Sequence, residues 1–219
     1  MAAIEFAVIM PVLITIMLGG IQLVTYTNAS RRVDLVVRSI SEMLSQAVPP
    51  ANSSTATVNA VDLHFAYDSA MVTFPYLLTD AKARGIAWWQ GIVINFASIK
   101  FTPTLAICPA SGDQSPCKLA SVVWTSTGVN SANYRPCVIP QLPADDTSAP
   151  SPATLPRSVF GSSSIIVVDV VFTFRPSFGA GIVPPIRIAR TAYIQPRYAT
   201  LIDFDTTNND GIASKCLGF

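Results

Sequence analysis

MAAIEFAVIMPVLITIMLGGIQLVTYTNASRR, residues 1–32, decides how the rest of the chain is read. From Phe6 to Thr27 it carries no charge for about 22 residues. At a rise of about 1.5 Å per residue, an uncharged helix of that length crosses a hydrocarbon layer about 30 Å thick. A cleavable secretory signal differs in each part: it opens on basic residues, keeps to an apolar run of about 7 to 15 residues and ends in small residues before a cut. Here a single acid, Glu5, stands at the head of the run. A carboxylate at the edge of lipid costs about 2.5 to 3.5 kcal/mol on insertion scales and therefore takes a partner. The nearest basic residues, Arg31 and Arg32, lie at the far end of the helix. The partner expected is an α-amino group, that of Met1 on a neighbouring chain, met when helices pack side by side in a staggered bundle. Solvation of Glu5 by headgroup water is the alternative.

Beyond the apolar run, Val33, Val36, Val37, Ile40, Met43, Leu44 and Ala47 recur at three and four, which is the period of a helix with one apolar face. Arg31, Asp34, Arg38 and Glu42 fall largely on the other side, with Asp34–Arg38 and Arg38–Glu42 spaced to pair along it. The pattern stops at Pro49-Pro50. One helix of about 45 residues, roughly 65 to 70 Å long, is expected. Pro11 and the Gly19-Gly20 pair mark where it would kink or admit another helix closely. Residues 1–48 are thus expected to form a transmembrane and assembly helix, and residues 49–219 an exported globular domain.

The stretch Ala2-Ala3-Ile4-Glu5-Phe6-Ala7-Val8-Ile9-Met10-Pro11, followed by Gly19-Gly20-Ile21-Gln22, resembles the N-terminus of TadE-like pilins of tight-adherence (Tad) pili, a subclass of type IV pili. In that family a prepilin peptidase removes a leader ending in Gly and leaves Glu at the fifth position, the register in which this sequence opens. The resemblance implies a bacterial inner-membrane precursor that joins copies of itself or related pilins through its N-terminal helix. It also implies an extracellular filament that supports surface adhesion, with Met1, Glu5, Phe6, Pro11, Gly19 and Gly20 as assembly residues. The family often carries a second acid where Gln22 stands. Arg31 and Arg32 would lie on the exported side, against the usual positive-inside bias, so a basic leader is expected to have set the orientation. The runs 164–176 and 186–197 are similar to the closing strands of the family. A minor subunit that primes or caps the filament is the alternative role, and a membrane-anchored periplasmic binding module a third.

The remainder reads as α+β. Asn52-Ser53-Ser54-Thr55 is a candidate cap for a second helix, with Val58, Val61, Leu63, Phe65, Ala66, Ala70, Met71 and Phe74 on its apolar side and Pro75 at its end. Strand-like runs follow at 92–101, 105–108, 119–125, 164–174 and 186–196, so an antiparallel sheet of about four strands is expected. Four cysteines, Cys108, Cys117, Cys137 and Cys216, lack metal-site spacing and all follow the apolar segment, which points to disulfides in an oxidising compartment. The turn-rich segment between Cys108 and Cys117 suggests a bridged hairpin, which leaves Cys137 for Cys216; spacing alone does not fix the connectivity.

Composition narrows the function. Half of the residues are hydrophobic and only 12% charged, with a mean hydropathy of +0.45, which is more apolar than an ordinary soluble domain. A net charge of +1 from 14 basic and 13 acidic residues gives no field to hold a phosphate backbone, so nucleic acid is not an expected partner. The lone histidine, His64, sits in an apolar run, and no catalytic triad, Walker loop or dinucleotide fingerprint is present. No enzymatic activity and no cofactor are expected. Asp203, Asp205, Asn208 and Asp210 gather oxygens suited to calcium, but without the EF-hand glycine position and closing Glu a polar turn is the commoner reading. Trp88 and Trp89 are the other hint of a binding module. The Pro, Ser and Thr-rich loop 140–156 offers Thr147, Ser148, Ser151 and Thr154 as O-glycosylation candidates.

Overall fold

The computed structural model describes residues 2–104, 112–127, 134–161, 163–178 and 183–219, with side chains from Phe6 onward. The first helix, α1 (Ala2–Ser45), runs unbroken for 44 residues through Pro11. Its end is closed from outside: the Arg197 N–H donates to the Ser45 carbonyl at 2.9 Å. The helix finishes a turn before Pro49-Pro50, where the Gln46 and Ala47 N–H groups tighten onto the Met43 and Leu44 carbonyls and the chain returning from the sheet takes that of Ser45.

After α1 come β1 (Thr55–Val58), α2 (Ala60–Thr73) and α3 (Tyr76–Arg84). The strands that follow are β2 (Ile92–Pro103), β3 (Lys118–Ser126), β4 (Leu142–Ala144), β5 (Thr154–Pro156), β6 (Ser164–Phe174), β7 (Ile186–Ile194), β8 (Leu201–Phe204) and β9 (Ala213–Lys215). Five of them form one sheet in the order β7-β6-β2-β3-β9, every neighbouring pair antiparallel. Two parallel pairs, β1 with β8 and β4 with β5, lie outside it. The class is α+β.

The sheet is buried on both faces, and α1 supplies the cover for one. Val33, Val36, Val37, Ile40 and Leu44 of α1 pack into a core with Leu63, Ala66 and Ala70 of α2, Ile92, Ile94 and Phe96 of β2, and Val168, Val170 and Phe172 of β6. These α1 residues are the three-and-four stripe read from the sequence. On the opposite face a smaller cluster joins Ile99, Phe101, Val122, Leu155, Phe160, Ile165 and Val167. Ile165 and Val167 point one way along β6 and Ile166 and Val168 the other, as the two-residue strand period requires. Trp124 is fully buried, and its indole N–H donates to the Ile202 carbonyl at 2.9 Å, tying β8 to the sheet.

Three expectations need correction. The cap of α2 is Asn59, not residues 52–55: Asn59 Oδ1 accepts from the Asp62 N–H and Asp62 Oδ2 from the Asn59 N–H, both at 3.0 Å. Residues Thr55–Val58 are instead a strand, since a Thr-rich, β-branched tetrapeptide finds a partner in β8. The buried stripe of α2 is Leu63, Ala66 and Ala70, with Phe74 just beyond the helix, whereas Val61 and Phe65 are exposed. Along the polar face of α1, Asp34 is engaged not with Arg38 but with Arg190 of β7 at 2.7 Å, and Ser30 Oγ accepts from the same guanidinium at 3.0 Å. A guanidinium held on a packed strand outcompetes a solvated neighbour one helical turn away.

Candidate assembly and membrane-contact site

The N-terminal half of α1 stands clear of the head. Phe6, Val8, Ile9, Val12, Leu13, Ile16 and Met17 are all exposed. The most apolar 18-residue window has a mean hydropathy of 2.3 and none of it is buried, making α1 the one helix among the described residues long and apolar enough to cross a membrane. Its hydroxyls are satisfied within the helix: Thr15, Thr25 and Thr27 donate to the carbonyls of Pro11, Ile21 and Leu23 at 2.8 to 2.9 Å. Such back-bonding lets a hydroxyl sit on a surface without water.

Phe6, Pro11, Gly19 and Gly20 lie on this bare half. A Cβ placed on Gly19 or Gly20 would meet nothing within 4 Å, so the close approach that glycines permit is available to another helix from outside. The backbone of Glu5 is helical, but its side chain and Met1 lie outside the described residues, so the Glu5–amine pairing has no geometry here.

Where α1 meets the head, the structure brings together residues the sequence did not link. With its carboxamide turned to the orientation that satisfies both of its ends, Gln22 accepts from the backbone N–H groups of Ser177 and Phe178 at 2.9 and 2.7 Å, which joins the helix to the residues after β6. Tyr26 meets Phe174 edge-on with ring centroids 5.6 Å apart. Between helix and connection runs an apolar groove of about 550 Å³, walled by Leu18, Gly19 and Leu23 on one side and Phe178, Val183 and Ile186 on the other. In the sequence Gln22 stands out as a departure from an acid. The signal that marks it is its place as the one amide in the uncharged run, since a lone amide among apolar residues requires a hydrogen-bond partner.

Cys137 and Cys216 are joined by a disulfide that closes 79 residues of chain. The Cys108–Cys117 pairing falls partly outside the described residues, Cys108 being among those not described, although β2 and β3 on either side of that segment do form a hairpin. The oxygens of the C-terminal turn go to separate partners. Asp203 pairs with Lys215, Asp205 accepts from the Thr207 N–H at 2.8 Å, and Asp210 meets His64. No group of three or more metal-ligating side chains gathers among the described residues. The His64 contact and the Ile212 N–H hold the Asp210 carboxyl below its usual range. In the loop 140–156, Thr147 and Ser148 are exposed and held in a turn on Asp145, while Ser151 and Thr154 are half-buried.

Trp88 and Trp89 stand at a cleft of about 400 Å³ with His64, Tyr67 and Asp68. Burial, followed by the Asp68 charge, pushes the Tyr67 phenol up to about 12, so it stays protonated and donates to the Trp89 and Ile92 carbonyls.

The sequence also missed a buried ion pair. Arg135 is fully buried, and its Nε and Nη2 reach Asp169 Oδ2 at 3.2 and 2.8 Å while Nη1 donates to Gln141 at 2.7 Å. Thr191 Oγ1 donates to the other Asp169 oxygen. Asp169 sits in the run Val168-Asp169-Val170, where alternation suggests a solvent-facing acid; the covering segment 134–160 turns that face inward.

A bare apolar half-helix runs on into the spine of an α+β head built on a five-stranded antiparallel sheet. The N-terminal segment is similar to one family: the model described as TadE-like protein matches residues 1–40. Comparison with curated proteins and with solved structures finds no match.

Proposed function

We propose that this chain is a structural subunit of an extracellular, Tad-like type IV pilus. The observation that carries the reading is the uncovered apolar half of α1, lying wholly within the TadE-like match. Apolar surface of that extent leaves water only in lipid or among other helices. A precursor, processed by a prepilin peptidase, waits in the inner membrane on this half-helix. It then leaves lipid as the same surface is buried between neighbouring subunits, with Glu5 paired to the terminal amine of the next chain. Gly19 and Gly20 allow backbones to approach, and the exposed head faces outward to support adhesion.

The test is export and polymerisation of a Glu5→Ala variant. Loss of sheared surface filaments, with the protein still present in the membrane fraction, is expected; assembly equal to the parent removes the Glu5 mechanism. A minor subunit that primes or caps the filament is the second reading, favoured by the bulk of the head, because the main Tad pilin is usually much smaller. Abundance in sheared filaments separates the two. A membrane-anchored binding module, built on the Trp88–Trp89 cleft, predicts no filament at all.

A further inference from the structure

We infer that Phe178 and Val183, described residues between β6 and β7, form a second membrane contact, dipping into the head-side leaflet beside α1 and fixing how the head sits on the bilayer. The inference rests on the reading of α1 as a membrane span. With Glu5 at one boundary, about 20 helical residues cover about 30 Å of hydrocarbon, which places the other boundary near Tyr26. An interfacial aromatic suits that level. Gln22 lies one turn deeper, about 6 Å inside. Its oxygen faces the N–H groups of Ser177 and Phe178, so these two residues lie at that depth too.

Three independent features favour lipid as the occupant of this face. No charged residue lies between Arg175 and Arg187, and both arginines are exposed, a bracket that would set guanidinium groups at the phosphate level. Phe178 and Val183 are 51% and 42% exposed and face half-buried Leu18 and exposed Leu23 across the groove. Finally, non-helical backbone at membrane depth is tolerated only where its polar groups are satisfied from within the protein. Gln22 supplies that for the N–H groups of Ser177 and Phe178, which gives a reason for an amide inside an otherwise apolar run.

The full chain is reconstituted in phosphatidylethanolamine–phosphatidylglycerol vesicles carrying acyl-chain nitroxide lipid. Single Met17→Cys, Phe178→Cys, Val183→Cys and Val72→Cys variants are labelled with an environment-sensitive fluorophore, and retention of the Cys137–Cys216 bridge is checked by non-reducing peptide mapping. Quenching at 17, 178 and 183 but not at 72, an exposed position on α2, is the expected result. Quenching at 17 without loss of emission at 178 and 183 overturns the inference and leaves the span intact. No quenching at 17 removes the span and this inference with it. A blue-shifted label at 178 or 183 that nitroxide lipid does not quench indicates a protein occupant, such as a second copy's helix, and likewise overturns it. Gln22→Leu should abolish quenching at 178 while leaving that at 17.

Discussion

Arg135 and Asp169 bury opposite charges between the sheet and the segment that crosses it, with Gln141 and Thr191 completing their hydrogen bonds. Removing one member leaves an unpaired charge in the interior, a loss of about 3 to 5 kcal/mol. Arg135→Ala should therefore lower the urea midpoint by that equivalent, and Arg135→Lys should recover little, because an ammonium cannot reach Asp169 and Gln141 with a rigid fork. The pair is illegible in the sequence, since nothing local tells an Asp facing water from one facing a guanidinium contributed by a residue 34 positions away. Asp210 gives a different prediction. Its folded pKa is depressed by His64 and by the Ile212 N–H, so its contribution is complete above the ordinary Asp value of about 3.9 and is lost as pH falls through the folded value. Asp210→Asn should flatten the decline in stability below about pH 4, read from urea midpoints across an acid series.

At the scale of elements, α1 shows two surfaces along one rod. Ile40 is fully buried and Leu35, five residues earlier, is 48% exposed. Ile40→Ala should cost about 2 to 5 kcal/mol by thermal or chemical unfolding, and Leu35→Ala well under half of that. This division was readable in advance, because a three-and-four stripe over fifteen residues has few alternative explanations. So were β6, whose long apolar run exceeds what a loop tolerates, and β7, whose Ile186, Ile188, Thr191, Tyr193 and Ile194 favour a strand. The short strands β1, β8 and β9, of three or four residues each, carry too little pattern to stand out, and their pairing partners lie more than a hundred residues away for β1 and β8. The start of α2 was misplaced because Asn52 and Asn59 are equally good caps locally; only the pairing of Thr55–Val58 with β8 chooses between them. At the groove, Gln22 and the β6–β7 connection were each visible, but their contact belongs to tertiary structure alone.

At the scale of the whole molecule, the head begins inside the helix. From Ala29 onward α1 contributes buried side chains to the main core, so a chain starting at residue 28 should be soluble and melt cooperatively. One starting at residue 49 loses Val33, Val36, Val37, Ile40 and Leu44 together and should give no cooperative transition by circular dichroism. The same interlock has a mechanical side. Val33, Val36 and Ile40 share a core with β2 and β6, α1 lies along β6 and the edge strand β7, and Arg190 of β7 grips Asp34. A pull on the N-terminal end thus enters the sheet by sideways shear spread over many side chains, with no slack tether to stretch first. Tail and head carry load as one stiff part.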